Sequence, residues 1–299
     1  MKLITRDLGI IYDFNALHTP IAYVESGDTV EIETFDCFQN QVKDEATEIT
    51  GIDWDKINPA TGPIYVNGAM PGDILKVKIE KIELDPQGVM VVGPGLGVLG
   101  DSFTEMEKKL LPITEDYVLF NDIHLPINKM IGVIGVAPVG EGINCGTPGK
   151  HGGNMDNKMV TEGATLYFPV FTEGALFGLG DMHAAMGDGE ISVSGIEVSG
   201  KATVTLEVIK GATIEHPMLE NDTDITQIVS AETLDEAAKL ATQLMTKRIA
   251  EKSSLSLAEV TMLMSAVGQV QVCQIVDPLM TARFSVPKWL LDKLNVTLI

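Results

Sequence analysis

The 299-residue chain carries 21 Lys+Arg against 42 Asp+Glu, a formal net charge of −21, and 45% of its residues are apolar. So acidic a surface repels polyphosphate. The longest basic groups are pairs such as Lys108-Lys109 and Lys247-Arg248, which excludes nucleic acid and anionic membrane surfaces as expected partners. The length and apolar fraction suit one large domain or two ordinary ones.

The N-terminal stretch through His18 contains Asp7 and Asp13 and has no small-residue cleavage site behind an apolar run, so it does not read as a signal peptide. Gly and Pro interrupt the most apolar segment, Met130 to Val139, well short of the roughly eighteen residues a membrane-spanning helix requires. Cys37, Cys145 and Cys273 are odd in number, widely spaced and without metal-ligand spacing. They predict a reducing, cytoplasmic setting and no disulfide framework. Up to about residue 210 the sequence offers short alternating runs cut by Gly, Pro, Asn and Asp. Thr29 to Thr34, Leu75 to Glu80 and Ala202 to Glu207 each place apolar side chains on one face and polar ones on the other. That pattern predicts half-buried antiparallel strands in a sandwich or barrel, since a parallel sheet covered on both faces would be apolar throughout. The acidic stretch Glu220 to Thr226 reads as a connection. Beyond it Leu234, Ala237, Ala238, Ala241, Leu244, Met245 and Ile249 recur at helical steps behind a Thr233/Glu236 capping box. A second helix follows the Ser256/Glu259 box. Val270 to Val276 reads as a strand closed by Asp277-Pro278, and Pro287 opens a last short helix. The predicted division is a β-sandwich over 1–219 carrying the active site and a C-terminal α+β part over 220–299 packed on it. The apolar second helix and free strand edges predict a homo-oligomer.

Gly95-Leu96-Gly97-Val98-Leu99-Gly100 has the spacing of a dinucleotide fingerprint, but Asp101 and Glu105 follow it and no βαβ rhythm surrounds it. A Gly-rich loop near a site is the better reading. The densest region runs from Lys150 to Glu190, with His151, Asn154, Asp156, Asp181, His183, Asp188 and Glu190 among eight glycines. In extended backbone Asn154 with Asp156, Asp181 with His183, and Asp188 with Glu190 would each project to one face. An imidazole beside carboxylates suits a divalent cation. Taken singly, Asp181 and Asp188 beside glycines read as turn residues and His151 as an exposed loop histidine; their density argues for a site. Asp36 lies between Phe35 and Cys37, where a solvated face does not explain it. Cys37 has no basic neighbour in sequence to lower its pKa and reads as a small buried hydrophobe. His18 either joins the site or caps a turn, and His124 and His216, both close to Pro, read as surface-loop residues. No G-x-S-x-G elbow is present.

Asn58 to Ala69 with Pro71-Gly72-Asp73, Gly132 to Pro138, His151 to Asp156, Gly180 to Glu190 and Val272 to Pro278 together resemble the acetamidase/formamidase family over essentially the whole chain. The chain departs from the pattern at Gln269, where members often carry an acid. The resemblance implies a CUB-like or jelly-roll β-sandwich with added helices, and hydrolysis of formamide or acetamide to carboxylate and ammonia. Amide hydrolysis needs an activated nucleophile, a stabilised oxyanion and a proton for the leaving amine. A divalent metal supplies the first two. The expected arrangement has Asp36, Asp181 and His183 as ligands, zinc as the ion with calcium or another divalent ion as alternatives, and Glu190 as general base. His151 is the second catalytic residue, and Asn154, Asp156 and Asp188 contact the substrate. Two alternatives stay open: a Cys37 or Cys145 thiolate nucleophile, and a non-catalytic module that binds a metal or small ligand.

Overall fold

In the computed structural model, which describes all 299 residues, the antiparallel alternation read from the sequence becomes two nine-stranded sheets sharing one core. The first runs in the order Lys2–Ile4, Asp28–Thr34, Gly200–Ile209, Ile74–Leu84, Thr165–Pro169, Met218–Glu220, Asp224–Ala231, Met280–Pro287 and Gln269–Gln274. Its Gly200–Ile209 strand buries Ala202, Val204 and Leu206 and turns Lys201, Thr203 and Thr205 outward, as the period of two requires. The second sheet carries Gly152–Asn154, Met130–Gly135, Phe177–His183, Glu197–Val198, Gln87–Val92 and Glu107–Pro112. The Ala60–Val66 strand joins it on Phe177–His183. A cluster of 35 buried apolar residues, including Val30 and Ile32 from one sheet and Ile131, Leu179 and Met182 from the other, fills the space between. The protein is thus mainly β with helices at its C-terminal end.

Those helices are α1 (Leu234–Lys252), α2 (Leu257–Val267) and α3 (Lys288–Leu294). The Thr233 hydroxyl accepts from the Glu236 amide at the start of α1, and Ser256 with Glu259 closes a full capping box on α2. Pro287 sits at the N-cap of α3. Ala237, Ala241, Met245 and Ile249 bury one stripe of α1 against Val229, Ala282, Phe284 and Val286 of the sheet.

Two expectations change. The stretch from Glu220 to Thr226 is not a linker between separate parts: Met218–Glu220 and Asp224–Ala231 pair as a hairpin, with Leu219 opposite Thr226. The 219/220 boundary therefore falls inside a strand, and the C-terminal strands continue the first sheet through main-chain hydrogen bonds. His216, expected on the surface, is buried, because its loop is tucked under the sheet where the Gln227 side chain donates to the Pro217 carbonyl. His124 does lie exposed, stacked on Tyr117 with ring centroids 3.8 Å apart. Gln269 is exposed at the start of its strand. No helix is long and apolar enough to cross a membrane.

Candidate active site

The Phe177–His183 strand is buried at all seven positions, yet its last turn carries Asp181 and His183. Its neighbours bring the rest: Asn154 from one end of the sheet, Glu197 paired directly opposite His183, and Asp156 just beyond Asn154. Around the His183 Nε2 atom stand four carboxylates: Glu197 at 3.2 Å, Asp181 at 3.5 Å, Asp156 at 3.8 Å and Glu190 at 3.9 Å. Each is almost wholly buried. Gly132, on the strand beside Phe177–His183, is what makes room for them. A Cβ there would lie 2.5 Å from Asp156 Oδ1 and 2.7 Å from Asp181 Oδ2, closer than any side chain permits.

Burial and like charge set the ionisation. Burial, and the charge of Asp181, push Asp156 up to about 7 against the pull of His183. Glu197 is raised to about 8 for the same first reason. Glu190 and Asp277 are driven well above the ordinary carboxylate range by burial and then by Asp156. For Asp181 burial acts upward too, but the charge and hydrogen bond of His183 outweigh it and hold the group below its usual value. Burial alone would depress His183; the charges of Glu197 and Asp181 override that and lift it well above an ordinary imidazole.

Several of these groups meet no donor. Both oxygens of Asp156, Oδ1 of Asp181, Oε2 of Glu197, Oδ1 of Asn154 and Nδ1 of His183 are buried without a hydrogen bond. Buried polar atoms are almost always paired, so orphans gathered in one place mark a site that takes up a ligand. Two sets of three donors lie within 4.8 Å of one another: Cys37, Asp181 and Glu197, and Asp156, His183 and Glu190. Nitrogen, sulfur and oxygen donors of this kind suit a divalent metal, and the residues present fit one. A cavity of about 280 Å³ opens onto Cys37, Asn154, Asp181, Glu190, Glu197 and Asp277.

The sequence-derived residues fall into three groups. Asp156, Asp181, His183 and Glu190 come together, and Asn154 lines the cavity with its Nδ2 donating to Asp277 Oδ2 at 3.1 Å. Asp36 lies just outside both donor sets: its Oδ1 accepts from the Asn40 amide, and burial raises it to about 6. His151 is buried, not exposed, with its ring edge-on to Phe14 at 5.3 Å and both nitrogens unpartnered; burial lowers it to about 4. Asp188 goes elsewhere. Its carboxylate takes both terminal nitrogens of Arg283 at 3.0 Å and the Lys158 ammonium at 2.9 Å, so it is not free to contact a substrate.

The reason is backbone conformation. The spacing argument assumed extended chain, but Asp156, Asp181 and Glu190 have φ of 39°, 55° and 45°, and Gly189 between Asp188 and Glu190 has φ of 100°. The left-handed turn sends these two acids in different directions. Sequence reasoning also missed Glu197 and Asp277. Glu197 left one signal, an acid between Ile196 and Val198 in a strand-like run; Asp277 looked like an ordinary Asp-Pro turn. Cys37 is a buried small residue as expected, but it also lines the cavity. Burial and then Glu197 push its thiol well above the ordinary range. Cys145 is buried and its Sγ reaches the Ile11 carbonyl at 3.6 Å. His18 pairs with Asp13 at 2.7 Å, away from these residues.

Comparison with known proteins agrees with this fold. The crystal structure of a predicted acetamidase/formamidase from Thermoanaerobacter tengcongensis superimposes with a TM-score of 0.97 at 47% identity, covering 99% of this chain and 98% of that one. An acetamidase structure from Bacillus halodurans gives 0.96, again at 47% identity, over 98% and 100% of the two chains. Among curated relatives, a formamidase of Methylophilus methylotrophus is 27% identical over 64% of this chain and 61% of its own. The chain spans only 61–64% of the length of the curated relatives it matches. The family model for acetamidases and formamidases matches residues 13–144 and 139–232, well over half of the chain and all of the site but Asp277. This chain belongs to the acetamidase/formamidase family.

Proposed function

We propose that the protein is an amidohydrolase that cleaves small aliphatic amides, with formamide and acetamide as the simplest, to a carboxylate and ammonia. The observation that carries this reading is the set of unpartnered buried donors at the floor of a closed-in cavity. Family membership and the printed activities of the relatives, formamidase and acetamidase, support it.

Asp181, His183 and Glu197, with Cys37 on the cavity side, would hold a divalent cation, and the nitrogen and sulfur donors favour zinc over calcium. When bound, such an ion supplies Lewis-acid polarisation of the amide carbonyl and acidification of a water to a pKa of about 7. Glu190 lines the cavity beside Asp156 and holds the proton taken from the attacking water until the leaving nitrogen needs it. Asn154 has its Nδ2 committed to Asp277, which leaves Oδ1 aimed to accept from the substrate –NH₂. His151, buried against Phe14, and Asp36, near enough to Asp181 to feel its charge, would act as positioning residues. A thiolate nucleophile is disfavoured, since the acids around Cys37 oppose its ionisation without a cation, a bound cation would occupy its sulfur, and Cys145 does not line the cavity. We place the protein in the cytoplasm, in keeping with three free buried thiols, and infer a homo-oligomer from the exposed Leu257 and Met262 of α2 beside Val270 on the adjoining edge strand.

The test is elemental analysis of the purified protein coupled to ammonia release from formamide and acetamide, before and after chelation. Stoichiometric zinc and a loss of turnover that added zinc restores are the expected results. Full activity in the chelated protein overturns the metal assignment, and binding of amides without turnover overturns the enzyme.

A further inference from the structure

The cavity is larger than the simplest substrates need. At roughly 30 Å³ for each water-sized unit, 280 Å³ accommodates about nine non-hydrogen atoms, whereas acetamide has about four. Besides its carboxylates and Asn58, Asn144, Asn154 and Ser194, the cavity has an apolar lining that includes Phe38, Trp54, Ile57, Leu96, Val193 and Val276. No Lys, Arg or His lines it, while four carboxylates do. Such a chamber repels a ligand carrying a second negative charge and rewards a neutral apolar one.

Three observations show that this wall is built and not incidental. Phe38 is buried and meets Trp54 edge-on, with ring centroids 6.4 Å apart at 87°. Ile57 and Leu96 pack on the small core of Cys37, Phe38, Val89 and Val91 that also supports the site. Leu96 comes from the Gly95 to Gly100 loop, whose spacing resembled a phosphate-binding fingerprint and which the proposed reaction leaves without a role. That loop is pinned against the segment following Glu190: the Val98 amide donates to the Ile191 carbonyl at 2.8 Å. Gly97, at φ of 66°, lies so close to Ile191 that a Cβ would come 2.4 Å from its carbonyl oxygen. Val193, which lines the same cavity, holds φ of 66°, a conformation a β-branched residue rarely adopts.

We propose that this wall is an acyl-binding pocket and that the protein acts best on neutral monoamides whose acyl group is apolar and bulkier than methyl, from isobutyramide up to benzamide, with Leu96 of the glycine loop as a specificity-determining residue. The proposal rests on the amidase reading above and names the substrate class of that same site.

The chain has two tryptophans, Trp54 in the pocket and Trp289 exposed on α3, so a Trp289→Phe background makes Trp54 the sole indole reporter of binding. Formamide, acetamide, propionamide, isobutyramide and benzamide are titrated while Trp54 emission is followed, and ammonia release is measured in parallel. Each added methylene should lower Kd and raise kcat/KM about fourfold, as expected from about 0.8 kcal/mol per buried CH₂. Leu96→Phe, which fills the chamber, should cut the isobutyramide-to-acetamide ratio at least about tenfold. Ile57→Phe is the second filling variant and should act in the same direction. A Kd that stays flat or rises beyond acetamide overturns the proposal, as does an unchanged ratio in folded Leu96→Phe. If Kd falls along the series while no amide is turned over, the pocket stands and the amidase reading falls.

Discussion

Two polar clusters built from neighbouring residues behave in opposite ways. Asn157 and Asp188 belong to the first. There the Arg283 guanidinium donates to Gln271 at 2.9 Å, to Asn157 at 3.0 Å and to both oxygens of Asp188. Asp156 and Glu190, one and two residues away in sequence, belong to the second, where four carboxylates crowd one histidine and four of their oxygens meet no donor. The first cluster matches each charge with an opposite one and serves as a clamp. It holds the loop of Gly189, whose amide donates to Cys273 and whose carbonyl accepts from Ile275, and so fixes where Glu190 points. The second leaves buried polar atoms without partners, which costs the fold stability and creates the demand for a ligand. One cluster is spent on structure and the other is held ready for chemistry.

The contrast predicts that conservative changes will have opposite consequences on its two sides. Glu190→Gln keeps the shape of the side chain and removes its ability to carry a proton. Ammonia release should fall by about 10²–10⁴, with metal content unchanged by elemental analysis. On the clamp side, Asp188→Ala leaves the Arg283 guanidinium buried without its bidentate partner. Chemical denaturation should show a loss of about 3 kcal/mol, and activity should fall with it because the Glu190 loop loosens. A stability change below about 1 kcal/mol would remove the clamp from the comparison.

His216 offers a control outside both clusters. It is held neutral, down at about 4, by burial first and then by Lys150, whereas in the unfolded chain it titrates near 6.5. Its contribution is intact above pH 6.5 and is lost as pH falls toward 4, because only the unfolded state gains the proton over that window. Between pH 7 and 4.5 the wild type should lose about 2 kcal/mol more stability than His216→Gln. The smallest effect has the opposite sign. Asp156→Asn removes a buried carboxyl that repels its acidic neighbours whenever it ionises, so the chelated variant should unfold at higher denaturant than the chelated wild type, by about 1 kcal/mol, while activity drops. Destabilisation of the chelated protein by this substitution would show that the second cluster is already satisfied.

The strands were legible because Val30 and Ile32, or Ala202, Val204 and Leu206, face one core and repeat every second residue. The helices were legible because Thr233 and Ser256 announce them. The region of the site was legible as well, through the concentration of acids, histidines and glycines between Lys150 and Glu190. What alternation could not convey was the direction of each side chain where the chain turns left-handed, and so Asp188 was grouped with Glu190. Nor could it reach across sequence. Asp277 meets Asn154 across 123 residues, and Glu197 stands opposite His183 only through strand pairing.

The shared sheet also dictates when the site can exist. Asp277 lies in the turn between the Gln269–Gln274 and Met280–Pro287 strands and the clamp's Arg283 on the latter, and both strands attach to the sheet through Asp224–Ala231 and so must await it. As the chain leaves the ribosome, Asp156, Asp181, His183, Glu190 and Glu197 all emerge before the arginine that orients their loop. Those acids are therefore synthesised before the clamp that fixes the loop of Glu190. Completion of the proposed cation site would then be one of the last events of synthesis, gated by the arrival of the strands that complete the first sheet.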